Sequence, residues 1–238
     1  PKVAAMGLLM RLLYDPLGSY IEQWQQIIIF ISVASMIVGA FAAIWQVNIK
    51  RLLAYSSIGH IGYALMALAI GDINALPSLL FYLTVYLVMS FGAFGIIIYL
   101  RQDGRALEDI NDFSGLYKSQ PVIAALMAIF MFSLAGIPPL GGFLAKLYVF
   151  NSVVAAGYIW LAVVGVLTSV VSAYYYIRVI KVMYFEDPAQ ETEVVFEPFL
   201  KLIIVLSVIF VVGLILEPAF VSVYANDATY TLFLPTSG

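Results

Sequence analysis

Long apolar runs separated by short polar or proline-containing breaks organise this sequence. Six of them fall at about Trp24–Gln46, Leu52–Ile70, Pro77–Leu100, Gln120–Ala156, Tyr158–Tyr184 and Phe199–Tyr224, against roughly 20 residues for one helical crossing of a bilayer. A shorter run, Val3–Leu13, ends where Pro16 forbids further helix. Gly71-Asp72-Ile73-Asn74 reads as a tight turn, Arg101–Lys118 as the longest polar loop, and Ala225–Gly238 as a tail polar enough to lie in water. Helices satisfy their own backbone groups in lipid, so the pattern predicts an all-α integral membrane domain over residues 1–238, with about seven transmembrane segments.

The run from about 120 to 156 is interrupted. Within Ser133-Leu-Ala-Gly-Ile-Pro-Pro-Leu-Gly-Gly-Phe-Leu-Ala-Lys146, Pro138 and Pro139 cannot continue a helix, and Gly136, Gly141 and Gly142 allow the dihedrals a break requires. A discontinuous helix is expected here, buried in a bundle where protein or water satisfies the freed backbone groups. Lys146 falls in the first turns of the restarted helix. The positive end of that helix and the apolar surroundings both disfavour its ammonium, so Lys146 is expected to lose and regain a proton. An ionisable residue beside a broken helix marks an ion pathway.

Composition agrees with a membrane chain: 63% of the residues are hydrophobic and 11% charged, against roughly 25% charged in soluble domains. The net charge of -3 gives no basic surplus for nucleic acid. Cysteine is absent and histidine occurs once, which excludes thiolate metal sites, Fe–S clusters, disulfides and bis-histidine haem in this sequence. No dinucleotide or phosphate-loop motif occurs either. The chain is therefore expected to work without a redox centre of its own. It opens on Pro1-Lys2, which reads as a piece of a longer polypeptide.

Cations are distributed asymmetrically between the predicted loops. Alternating the spans places Lys50, Arg51, Arg101, Arg105, Lys118, Arg178, Lys181 and Lys201 on one side and Arg11 on the other. The Arg101–Lys118 loop is then cytoplasmic and the C-terminus external. Gly39, Ala40, Gly92, Ala93, Gly95 and Gly165 suit close helix packing. Tyr174-Tyr175-Tyr176 before Arg178 reads most simply as an aromatic belt.

Further candidate chemistry lies in Asn48-Ile-Lys-Arg-Leu-Leu-Ala-Tyr-Ser-Ser-Ile-Gly-His60. Lys50, Ser57 and His60 fall near one helical face. His60 is suited to relay a proton between Lys50 and a further acceptor, with water or other helices filling the gap of about 15 Å along the axis. Two plainer readings stand beside this one: Lys50-Arg51 as an interfacial anchor and His60 as a hydrogen-bonded bundle histidine.

Leu134-Ala-Gly-Ile-Pro-Pro-Leu-Gly-Gly-Phe-Leu-Ala-Lys-Leu-Tyr-Val-Phe150, Asn48–Tyr63 and Ala173-Tyr-Tyr-Tyr-Ile-Arg178 resemble the subunit N family of proton-pumping NADH:quinone oxidoreductase, respiratory complex I, whose mitochondrial counterpart is subunit 2. The resemblance implies the C-terminal half of a 14-helix antiporter-like bundle, with a second inverted repeat at about 24–184 and a final helix at about 199–224. It implies proton translocation through Lys146, Lys2, Lys50 and His60, coupled to quinone reduction in other subunits. NADH, FMN, Fe–S clusters and quinone would belong to those subunits. Implied partners are the other membrane-arm subunits, the lipid bilayer, protons and water. The implied location is the bacterial inner membrane, with a periplasmic C-terminus, in preference to the mitochondrial one. Two alternatives stay open in the transporter class: an Mrp-type sodium/proton antiporter subunit and an antiporter-like subunit of a membrane hydrogenase. A purely scaffolding half is a third. Sodium transport would call for carboxylates at depth, whereas the acids here cluster in predicted loops, apart from Glu217 before Pro218.

Overall fold

A computed structural model describes residues 1–102, 105–188, 193–194 and 197–233. Its helices are α1 (Lys2–Tyr14), α2 (Ile21–Ile44), α3 (Ile49–Ala69), α4 (Leu76–Tyr99), α5 (Leu116–Ser119), α6 (Pro121–Ala135), α7 (Gly141–Ala155), α8 (Ile159–Phe185), α9 (Pro198–Gly213) and α10 (Ala219–Phe233). Among the described residues, the helical segments at Gly18–Ile44, Ile49–Ala69, Ile73–Tyr99 and Ile159–Phe185 are each long and apolar enough to cross a membrane. The expected discontinuous span is present as the half-helices α6 and α7.

Local sequence sets the ends. Asn48 accepts the Arg51 N–H at 3.0 Å and caps α3, while Pro121 and Pro198 open α6 and α9, where a missing N–H costs nothing. α3 is the least apolar of the four long segments and the most buried. That inversion follows from the solvent: in lipid the polar residues turn inward and the apolar ones face out. α2 lies against α3 at near-backbone contact, because a Cβ on Gly39 would meet the Gly59 Cα at 2.8 Å and the Tyr55 carbonyl at 2.9 Å. Ser32 Oγ ties the same crossing by donating to the Gly62 carbonyl at 2.7 Å.

Two expectations need correction. The last apolar run is not a single span over Phe199–Tyr224: helix stops at Gly213 and restarts at Ala219, because Pro218 has no N–H and crowds the preceding turn. Nor is the chain from Ala225 a free aqueous tail. α10 runs on to Phe233, with Val221, Ala225 and Thr229 buried four residues apart along one face. Residues 234–238 of that expected tail lie outside the described residues.

The described residues of the loop expected at Arg101–Lys118 include strand; residues 103–104 lie outside the described residues. β1 (Leu100–Gln102) pairs antiparallel with β2 (Arg105–Ala106) and with β3 (Glu193–Val194), giving the order β2-β1-β3. A 3-10 turn at Ile110–Phe113 then buries Ile110 and Phe113. It docks through the N–H of Ile110 on the Val47 carbonyl and the N–H of Ile49 on the Glu108 carbonyl, both at 2.8 Å. Those paired backbone groups explain how a loop reaches into the bundle end at all.

Candidate functional site

The helix break builds a cation cradle. α6 ends at Gly136, whose φ of 84° is the left-handed conformation glycine tolerates. Its N–H and that of Ile137 take up the carbonyls of Phe132 and Ser133. Leu134 and Ala135 are left with unclaimed carbonyls, and Lys146 Nζ donates to them at 3.3 and 2.8 Å and to Ser169 Oγ at 2.8 Å. Three donors thus meet three acceptors. Lys146 is 4% exposed, and among the described residues no carboxylate pairs with it.

This geometry revises the electrostatic expectation for Lys146. The sequence placed it at the positive start of α7, but helical side chains lean toward the N-terminus, so its ammonium crosses the break. It rests on the negative end of α6, where the helix presents roughly half an elementary negative charge. Gly136 is needed for space as well as for φ, since a Cβ there would lie 2.8 Å from Lys146 Cδ. Ser133, fully buried, spans the same break: its Oγ accepts the Gly142 N–H at 3.0 Å and donates to Met89 Sδ at 2.9 Å. A cavity of about 320 Å³, walled by Gly136, Phe143, Leu147, Phe150, Ser169 and Val170, opens beside Lys146.

From Lys146 a line of buried polar and aromatic side chains runs along α3. The ammonium lies 5.2 Å from the centre of the Tyr63 ring. Tyr63 and His60 meet edge to face at 6.1 Å, and the Tyr63 hydroxyl bonds Thr168 Oγ1 at 3.2 Å. His60 Nδ1 bonds Tyr82 Oη at 2.7 Å and its Nε2 bonds Tyr176 Oη at 3.0 Å, while Tyr86 stacks on the imidazole at 4.7 Å. Tyr176 Oη in turn bonds Ser56 Oγ. At the other end of the line Lys2 Nζ donates to Ser57 Oγ at 2.5 Å. Ser57, His60 and Tyr63 are spaced by threes on one face of α3, so Lys2 of α1, His60 and Lys146 of α7 follow one another along it in that order.

Lys50 does not join the line. It stands at the start of α3, and its side chain leaves the bundle to pair with Glu108 at 2.7 Å. That hydrogen bond and the lysine's charge hold the Glu108 carboxyl below its usual range. Lys118 and Asp187 form a second loop pair at 2.8 Å, whose hydrogen bond raises the lysine and lowers the acid. Arg178 donates to the carbonyls of Ile44 and Gln46 at 2.9 Å and closes the end of α2. The tyrosine run is not a belt as a whole. Tyr174 is 60% exposed, whereas Tyr175 and Tyr176 are buried, because 100° per residue turns successive side chains to different faces. Tyr63, Tyr82, Tyr86 and Tyr176 are the site residues that sequence reasoning missed; the spacing of Tyr82 and Tyr86 by four was the available signal.

The protein-family model described as NADH:quinone oxidoreductase/Mrp antiporter, transmembrane, matches residues 1–172. The chain belongs to this family. It is 49% identical over 232 residues to NADH-quinone oxidoreductase subunit N of Rhodospirillum rubrum, covering 98% of this chain and 48% of that protein. The chain thus spans about half the length of the relative it matches. A chain of respiratory complex I from Thermus thermophilus superposes with a TM-score of 0.72 at 32% identity, over 83% of this chain and 44% of its own. A chain of the Mrp complex from Dietzia sp. gives 0.83 at 20% identity, over 98% of this chain and 51% of its own. The last likeness is one of fold alone.

Proposed function

We propose that this chain is the C-terminal half of a proton-translocating membrane-arm subunit of NADH:quinone oxidoreductase. The observation that carries the proposal is Lys146, a buried ammonium at a helix break, solvated by two helix-end carbonyls and one hydroxyl and flanked by a cavity. Because its acceptors are neutral oxygens, loss of the Lys146 proton strands no buried counter-charge, which suits uptake and release better than a lasting ion pair does. Lys146 exchanges protons with one aqueous side, His60 passes them along α3, and Lys2 links this half to the preceding one. Lys50 serves the loop end and stands off the path. The second inverted repeat occupies about 24–184, with α9 and α10 after it.

Redox cofactors belong to other subunits of the complex, which are also this chain's protein partners. Location in the bacterial inner membrane with cytoplasmic basic loops is supported by the gathering of Lys50, Arg178 and Lys118 at one bundle end. Phe233 lies against Tyr14 at the end of α1, with ring centres 6.0 Å apart, and Tyr14 in turn bonds the Leu68 carbonyl at the far end of α3. Both support a periplasmic C-terminus.

Reconstituted complex carrying Lys146→Ala tests the function. Electron transfer that persists while protons moved per NADH fall supports it; an assembled variant that pumps at the parent ratio overturns it. Mrp-type sodium exchange would show instead as sodium-driven proton movement without NADH.

A further inference from the structure

His60 is held in a way that a purely structural histidine does not need. An imidazole fixed for packing is held by one-way partners: a carbonyl or carboxylate accepts only, and so selects one tautomer. Here both ring nitrogens meet tyrosine hydroxyls, Tyr82 at Nδ1 and Tyr176 at Nε2. A hydroxyl donates or accepts equally well, so either tautomer keeps both hydrogen bonds. The chain extends through Tyr176 Oη to Ser56 Oγ. Beyond Ser56 a crevice of about 10 Å³ is lined by Ser56, Tyr86 and Ser90, space on the scale of a single water with hydroxyls as partners. On the other side, the Tyr82 ring lies 6.3 Å from that of Tyr63, over which the Lys146 ammonium sits. All four members of the chain are buried.

We propose, building on the proton-translocating function above, that Tyr82 and Tyr176 are proton-relay residues that load and unload His60, which works by exchanging tautomers. A proton arriving at Tyr82 Oη displaces that hydroxyl's own proton onto His60 Nδ1. The proton on Nε2 moves to Tyr176 Oη, the Tyr176 proton to Ser56 Oγ, and the Ser56 proton into the crevice. One proton enters and one leaves, and every member ends neutral. Imidazolium is avoided, which matters because His60 is buried between Lys2 and Lys146, where a further positive charge is costly. Carrying a second proton the same way requires the imidazole to return to its first tautomer, so the relay passes protons singly.

Tyr176→Phe and Tyr82→Phe keep each ring and remove only the hydroxyl. In reconstituted, assembled complex, both are expected to lower protons translocated per NADH oxidised while NADH oxidation persists. Ser56→Ala, which likewise removes one hydroxyl, is expected to do the same and stands in if a tyrosine variant fails to assemble. A structural role would instead lower assembly or thermal stability and leave the ratio of protons to NADH intact. Lys146→Ala is measured in parallel. If it loses pumping while the hydroxyl variants retain the parent ratio, the relay is overturned and the function stands; if all retain it, both fall.

Discussion

Ser133→Ala is expected to loosen the helix break without touching Lys146. The substitution removes the acceptor of the Gly142 N–H and the donor to Met89 Sδ in a fully buried position. Leaving a buried N–H unsatisfied costs about 1–3 kcal/mol, and the lost hydroxyl–sulfur contact adds a few tenths. Taking about 2 kcal/mol for the sum, the local opening equilibrium shifts roughly thirtyfold toward the open form. Gly142 lies in the first turn of α7, whose N–H groups have no intrahelical carbonyl one turn back. Backbone hydrogen exchange followed by mass spectrometry on the purified complex reads this opening directly. Peptides covering Gly136–Lys146 should exchange about thirty times faster in the variant. Ser152→Ala serves as control, since Ser152 only bonds the Tyr148 carbonyl of its own helix. Break peptides exchanging at the parent rate in Ser133→Ala would refute the reasoning.

Two further perturbations test the packing and the loop end. Gly39→Ala forces a Cβ into the Gly59 backbone and should destabilise the α2–α3 crossing by about 1–3 kcal/mol, whereas Gly7→Ala, with open space around it, should be neutral or gain up to about 1 kcal/mol of helix propensity; heat-induced loss of the assembled complex on native gels ranks the two. Lys50→Gln should speed exchange in the Glu108–Phe113 segment at neutral pH. Because Lys50 depresses the Glu108 carboxyl, the stability it contributes is present above the ordinary carboxylate range and lost as pH falls through the depressed value. Parent and variant should therefore converge at acid pH and in high salt, and a difference that persists in both would contradict the pairing.

Much of the bundle was legible because lipid imposes so few solutions. Apolar runs bounded by Pro16, Asn48 and Pro121 had to be helices, and Pro138-Pro139 beside three glycines had to interrupt one. The same proline rule applied at Pro218 would have divided the last run, but hydrophobicity over Phe199–Tyr224 masked it. Lys146 stood out by its charge in an apolar run, yet its resting place did not. Which carbonyls α6 leaves free depends on how Gly136 closes the last turn, and that is tertiary information. Lys50 illustrates the converse: it shares a face with Ser57 and His60, but a residue in the first turn points outward to whatever the loop supplies, here Glu108. The buried tyrosines were hidden because an aromatic pattern looks alike at an interface and in a core. Only the helix rotation that buries Tyr176 and exposes Tyr174 tells them apart.

The central claim is that Lys146 carries a proton that comes and goes, and side-by-side Lys146→Ala and Lys146→Arg variants in reconstituted complex test it most directly. Arginine supplies the positive charge and hydrogen-bond donors for the Leu134, Ala135 and Ser169 oxygens but does not release its proton. With protons translocated per NADH as the measurement, the account predicts that both variants lose pumping while oxidising NADH. Parent-level pumping in the arginine variant would mean that a fixed charge suffices at the break, and would contradict it.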